Sequence, residues 1–357
     1  MSVANLMSRT ARRPSCQAGL TLIELLVAVT LGLLVTLAAV ASLLIGRQGF
    51  TSVDQSSQLR ENTRFAASLV QRIVIQAGYE VHRDGTIDSS WRYFCSGTGS
   101  QCGDTSGDKN PGIVGFDNAV TDGVALPAGL VSDNRPTAAS NCTSVTDTSC
   151  VNGSDVLAVR YWGDSRTGAA ADGSMINCAG AGELDGSVPA YSIFHVRRSA
   201  SGEPTLACTY RIFNGGTVVW RTVPVIQGVE GFQVLYGVDN VTPNAAPAAS
   251  DAGTDRVPDR YLRASQLTVA GDANATMDNW RRVRSVRIGL LVRGDLNSAI
   301  DRASTNQTYA VLGNGFTSGS DTLSNLEVPA DGRLRHNMVF TVYLHNPQFV
   351  VPPDWTR

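Results

Sequence analysis

The chain has 357 residues, a formal net charge of −2, 43% hydrophobic and 17% charged residues. That balance excludes a nucleic-acid binder, which needs a surplus of Lys and Arg, and a disordered chain, which needs far fewer apolar residues. The length fits one large domain or two modest ones.

Residues 1–19 carry Arg9, Arg12 and Arg13 and no acidic side chain. An apolar run follows from Leu20 to Gly46, and its single ionisable side chain is Glu24. From Leu25 to Gly46 there are 22 uncharged residues, which at a helical rise span about 33 Å, the thickness of a bilayer core. The preceding arginines place the N-terminus in the cytoplasm and the bulk of the chain outside.

Three readings of this segment compete. A secretory signal peptide has a shorter apolar region and a small-residue cleavage site, which Ala39-Val40-Ala41 would supply, but the run here is too long and continues past that site. A plain membrane anchor accounts for the length and the arginines and leaves Glu24 without a purpose. An acidic side chain in an apolar run costs about 2.5 kcal/mol or more near the bilayer centre and is usually kept for a partner. A third reading takes the glycine before the run, the apolar run and the glutamate together as one signal.

After Gly46 the pattern turns amphipathic up to Gly78, a suitable C-terminal cap. Phe65, Leu69 and Ile73 recur at every fourth position, with Ala66, Val70 and Ala77 beside them, so one helix is expected to continue and pack this stripe on a sheet. Gly46 and Gly49 are expected to loosen it where it leaves the membrane. Beyond residue 80 the chain reads as β. Short runs at Asp155–Trp162, Tyr191–Arg197, Leu206–Phe213, Val218–Val225 and Phe232–Tyr236 are rich in Val, Ile, Tyr and Phe. Val283–Arg293 alternates through Val286, Ile288, Leu290 and Val292, and Met338–Leu344 is a last apolar run. Glycine-rich or polar loops are expected at Ser96–Gly112, Gly163–Asp185 and Asn240–Arg256.

Of seven cysteines, Cys16 precedes the apolar run, while Cys95, Cys102, Cys142, Cys150, Cys178 and Cys208 follow it. Six in an exported segment suit three disulfides. Sequence neighbours suggest Cys95–Cys102, Cys142–Cys150 and Cys178–Cys208, although six cysteines allow about 15 pairings. No CxxC or HxxxH spacing points to zinc. His82, His195, His336 and His345 are isolated from one another and from the cysteines. Gly97-Thr98-Gly99-Ser100 follows no strand, as a nucleophile elbow must, and Gly313-Asn314-Gly315 opens no helix that could cradle phosphate. No catalysis, metal or cofactor is expected.

The segment Gly19-Leu20-Thr21-Leu22-Ile23-Glu24-Leu25 resembles the type III signal of type IV prepilins. The resemblance implies cleavage between Gly19 and Leu20 by prepilin peptidase, N-methylation of Leu20, and a role for Glu24 in assembly, paired with the amine of an adjacent subunit. Leu20 stands where major pilins usually have phenylalanine, which points to a minor pilin. Leu59-Arg60-Glu61-Asn62-Thr63-Arg64-Phe65-Ala66, Ala77-Gly78-Tyr79, Val229–Asp239, Val283–Arg293 and Phe340–Asn346 resemble the large minor pilins called PilW. These often carry an acidic loop like a calcium site before Asp-Arg-Tyr. Here Asp251, Asp255 and Asp259 precede Arg260-Tyr261, diluted by alanine and proline, and three spaced aspartates fall short of the oxygens a hard cation requires.

The implied fold is α+β and pilin-like, a long N-terminal helix packed on a mainly antiparallel β head with elaborated loops. The implied organisation is a cytoplasmic leader at 1–19, a transmembrane and assembly helix at 20–46, an amphipathic continuation at 47–78 and a periplasmic head at 79–357. The implied partners are prepilin peptidase, other minor and major pilins, the pilus assembly platform and the inner membrane. The implied location is the inner membrane and then the pilus of a Gram-negative bacterium, with a role in priming or tip assembly. A type II secretion pseudopilin shares the same signal. A membrane-anchored adhesin or enzyme would use the helix as a tether alone.

Overall fold

A computed structural model describes residues 19, 21–79, 111–120, 140–141, 151–164, 170–184, 186, 189–214, 217–247, 255–299, 305–316 and 325–346. It divides into two compact units, Met1–Thr51 and Ser52–Arg357. Helix α1 (Leu22–Ile75) begins in the first and ends in the second, with helical geometry unbroken through Gly46 and Gly49.

In the first unit the described side chains of α1 are exposed almost without exception, from Leu22 at 79% to Phe50 at 81%. A helix apolar on every face has no polar side to give to water and needs lipid or other helices around it. By length and composition α1 can cross a membrane.

In the second unit α1 is one-sided. Leu59, Thr63, Ala66, Val70, Ile73 and Ala77 are buried, at alternating spacings of four and three. Thr63 closes its hydroxyl onto Leu59 O at 2.7 Å, so the polar group on this stripe is satisfied. The stripe is centred one residue away from the expected one. Ala66 and Ala67 lie against the core and let the helix approach closely, whereas Phe65 is 59% exposed and Leu69 half-buried. One position along a helix is a rotation of about 100°, enough to carry Phe65 off the interface.

Thirteen strands are described: β1 (Ile113–Phe116), β2 (Ala119–Val120), β3 (Ser140–Asn141), β4 (Val156–Trp162), β5 (Pro189–Arg198), β6 (Pro204–Asn214), β7 (Thr217–Gln227), β8 (Val229–Val238), β9 (Arg260–Leu262), β10 (Val283–Arg293), β11 (Gln307–Ala310), β12 (Asn325–Val328) and β13 (Arg335–Tyr343). One sheet runs β1-β4-β5-β6-β7 and the other β13-β10-β8-β9, while β2-β3 and β11-β12 form small pairs. Every pairing is antiparallel. The architecture is α+β. Each expected strand is present. The expected loops hold a β-bridge, Ile176 to Gly182, and helices α2 (Ala264–Leu267) and α3 (Ala273–Arg281) follow β9.

Gly228 alone joins β7 of the first sheet to β8 of the second. Its φ of +84° suits glycine, and a Cβ there would strike Arg293 O. The inner faces of both sheets share a core with the buried stripe of α1, including Phe194, Leu206, Phe232, Tyr236, Ile288 and Leu290. The alternation of Val286, Ile288, Leu290 and Val292 is the inward face of β10, as period two requires. On the opposite face Leu291 packs under the β11–β12 pair with Val311, Leu326 and Val328. Gly289 and Gly231 make room there, since a Cβ on either would meet Val311 or Leu326.

Candidate assembly site

Gly19 is exposed, with open space where a Cβ would stand, so its backbone is unobstructed. Leu20 lies outside the described residues. Thr21 caps α1. Its N–H and hydroxyl donate to Glu24 Oε2 at 3.0 and 2.9 Å, and Glu24 N–H returns to the Thr21 hydroxyl at 3.3 Å. This is a reciprocal capping box, with an acidic residue in the first turn where the helix dipole favours it. Sequence reasoning missed Thr21, although Thr-x-x-Glu before an apolar run is its usual signature. The carboxylate therefore sits at the mouth of the apolar helix, held by a hydroxyl and an amide of its own turn. A cationic partner has to compete with a threonine there, a milder rival than an ion pair.

In the second unit the end of α1 is fixed by three segments. Gly78, with φ +69°, turns the chain, and its N–H donates to Arg160 O at 2.9 Å. The Gln76 side chain meets Ile176, and Asn346 Nδ2 donates to Ile75 O and Ala77 O at 3.3 and 3.1 Å. Carbonyls left open at a helix end thus receive donors from the far end of the described chain. Burial, with Asp164 close by, raises the Tyr79 phenol above its usual range.

Cys178 and Cys208 form a disulfide that ties the segment before β5 to β6, with Cα atoms 6.0 Å apart. Cys16, Cys95, Cys102, Cys142 and Cys150 lie outside the described residues, as do Asp251 and His82. Asp255 and Asp259 each accept a backbone amide, Asp255 Oδ1 from Val257 N–H at 2.9 Å and Asp259 Oδ2 from Asn240 N–H at 2.7 Å. The buried Asp239 beside them accepts from Asp255 N–H, Arg256 N–H and Arg284 Nε. These carboxylates build turns. Among the described residues no group of three His, Cys, Asp or Glu side chains is placed to hold a metal.

A cluster of charges joins β8, β10 and β13 to the turn before β6. Glu230 is 4% exposed and receives Arg293 at 2.9 Å and Arg335 at 2.6 Å. Arg293 also reaches Glu203 at 2.6 Å, and Arg335 reaches Asp331 at 2.8 Å. Each of these carboxylates is thus matched by an arginine, the pairing that buried charges require.

Residues 193–346, from β5 through β13, match the family model described as type IV pilus-assembly protein W. Residues 14–40, which include Gly19, Leu20 and Glu24, match the prokaryotic N-terminal methylation motif. No curated protein matches. Among solved structures, a type IV-like pilin from Thermus thermophilus aligns at 15% identity over 56% of this chain and 81% of its own, with a TM-score of 0.28. Over residues 193–346 the chain is thus PilW-like, and over residues 14–40 it carries the N-terminal methylation motif.

Proposed function

We propose that this protein is a minor pilin, cut after Gly19 by prepilin peptidase and methylated at Leu20. Residues 20–46 hold it in the inner membrane, residues 47–78 continue into a periplasmic head at 79–357, and the chain takes part in priming or tip assembly of a type IV pilus. Its role is structural, with other minor and major pilins and the assembly platform as partners. The observation that carries this reading is Glu24, a carboxylate at the entrance of a helix whose first half is apolar on every side. The methylation motif around it supports processing, and the family match of the head supports membership of a pilus.

The test is N-terminal mass spectrometry of the full chain recovered from membranes. A methylated Leu20 terminus is expected. A terminus at Ser42 or an intact Met1 would sink the processing step. Glu24→Ala separates assembly from tethering, because the variant should enter the membrane and stay out of fibres, and normal incorporation would contradict the assigned role.

A further inference from the structure

Four strands bound the two large sheets, β1 and β7 in one, β13 and β9 in the other. An edge strand presents a row of unpaired N–H and C=O groups, which proteins blunt with short strands, proline, bulges or charge. Three of the four edges here are blunted. β1 has four residues and β9 three. β7 has eleven, with Arg221 and Pro224 exposed and a register shift opposite it between Leu206 and Ala207.

β13 carries none of these devices. It has nine residues without proline and pairs with β10 in unbroken register from Ser285–Tyr343 to Arg293–Arg335. Its one Arg, Arg335, is held by Glu230 and Asp331, and no Asp, Glu, Lys or Arg occurs from His336 to Tyr343. Leu344 N–H donates to Arg284 O at 2.8 Å. By antiparallel alternation the amides of Asn337, Val339, Thr341 and Tyr343 then point away from β10. Among the described residues no strand lies on that side.

We propose that the outer edge of β13 is an interaction surface, paired through backbone hydrogen bonds with an edge strand of a different pilin-type subunit. This rests on the assembly reading above. Amides repeating every second residue are matched by another extended backbone. The chain's own strands are poor occupants. A second copy presenting β13 forms a two-fold pair that closes on itself, whereas a copy presenting β7 meets Pro224 and Arg221. An open edge without a complementary edge on the same chain fits a subunit that joins non-identical neighbours.

The test places the photoreactive residue benzoylphenylalanine at Tyr343, which is 59% exposed, in the full chain in its host membrane. A second probe at Phe50 reports helix contacts. The Tyr343 probe is expected to give an adduct with a different polypeptide that mass spectrometry shows to carry its own prepilin-type N-terminus. Val339→Pro removes an outward amide and spares the β10 ladder, so the adduct should fall about fivefold. An unchanged limited-proteolysis pattern checks that this variant folds, and Thr341→Lys, which charges the edge, replaces it if it does not. An adduct with a second copy, or one insensitive to both substitutions, overturns the proposal. No Tyr343 adduct beside a working Phe50 probe overturns the edge contact alone, while silence of both probes removes the assembly reading with it.

Discussion

Gln76 and Ile176, one hundred residues apart, exchange two hydrogen bonds: Gln76 Nε2 donates to Ile176 O at 3.0 Å, and Ile176 N–H donates to Gln76 Oε1 at 2.9 Å. The amide side chain copies a strand neighbour and locks residues 170–184 to the end of α1. Gln76→Ala leaves both backbone groups of Ile176 without that partner and should cost about 1–3 kcal/mol. Limited proteolysis of the full chain in detergent should then cut within 170–184 faster than in the parent. Unchanged cleavage there would show that the pair does not hold the segment.

The disulfide secures the same segment at a second point. Cys178 and Cys208 are 30 residues apart and both buried. Replacing both by alanine should cost about 3–4 kcal/mol if the bond acts by restricting the unfolded chain. Denaturant unfolding of parent and variant measures it. A difference under about 1 kcal/mol would mean that Gln76 and the β-bridge already order the segment.

Glu230 makes a third test. Its neighbour Arg335 has a side chain only 3% exposed, so Glu230→Gln strands a buried guanidinium with Asp331 as its remaining carboxylate. Removing one partner of a buried pair costs about 3–5 kcal/mol, and the lower end applies because Asp331 stays. The double variant Glu230→Leu with Arg335→Met should recover most of that loss. Failure of the double variant to recover would assign the cost to packing and not to charge.

The elements legible in the sequence are those with a strong local period. β10 alternates over eleven residues, and the apolar helix has no competing pattern. β11 and β12 are four residues each, and α2 has four, too short for either period to emerge. Phe65 misled because bulk and apolarity outweighed position, whereas Ala66 and Ala67 hold the interface through their smallness. The Glu230–Arg335 pair alone spans 105 positions, and nothing local marks it. Glu24 was legible because a lone acid in an apolar run is costly enough to signal a purpose. Its capping partner Thr21 was legible too, in the Thr-x-x-Glu spacing ahead of the apolar run.

Gly115 and Tyr236 test close packing. A Cβ on Gly115 would overlap the Tyr236 hydroxyl and come within 2.6 Å of Cζ. That hydroxyl is buried and makes no hydrogen bond within the described protein, and burial drives the phenol well above its ordinary range, with Asp155 and Asp117 adding to the shift. Tyr236→Phe should therefore be neutral or stabilising by about 1 kcal/mol. Gly115→Ala should destabilise by about 2–3 kcal/mol through overpacking, and less in the Tyr236→Phe background. Additive effects would show that the two sites do not touch.

His195 makes stability depend on pH. It is fully buried, and its Nε2 lies 2.9 Å from the Thr209 hydroxyl, which in turn pairs with Thr222 at 2.8 Å. Burial, reinforced by Arg197, pushes the imidazole down from 6.5 to about 3. The folded state thus refuses a proton that the unfolded chain accepts. The stability tied to this group is complete above pH 6.5 and drains away as the pH falls towards 3, at up to about 1.4 kcal/mol per pH unit. His195→Gln keeps a side chain able to bond Thr209 and removes the titration. Unfolding free energies between pH 6.5 and 4 should fall less steeply in the variant, by close to one proton's worth of slope. Equal slopes would mean that the ring gains a proton without unfolding, and that its burial is not what excludes the charge.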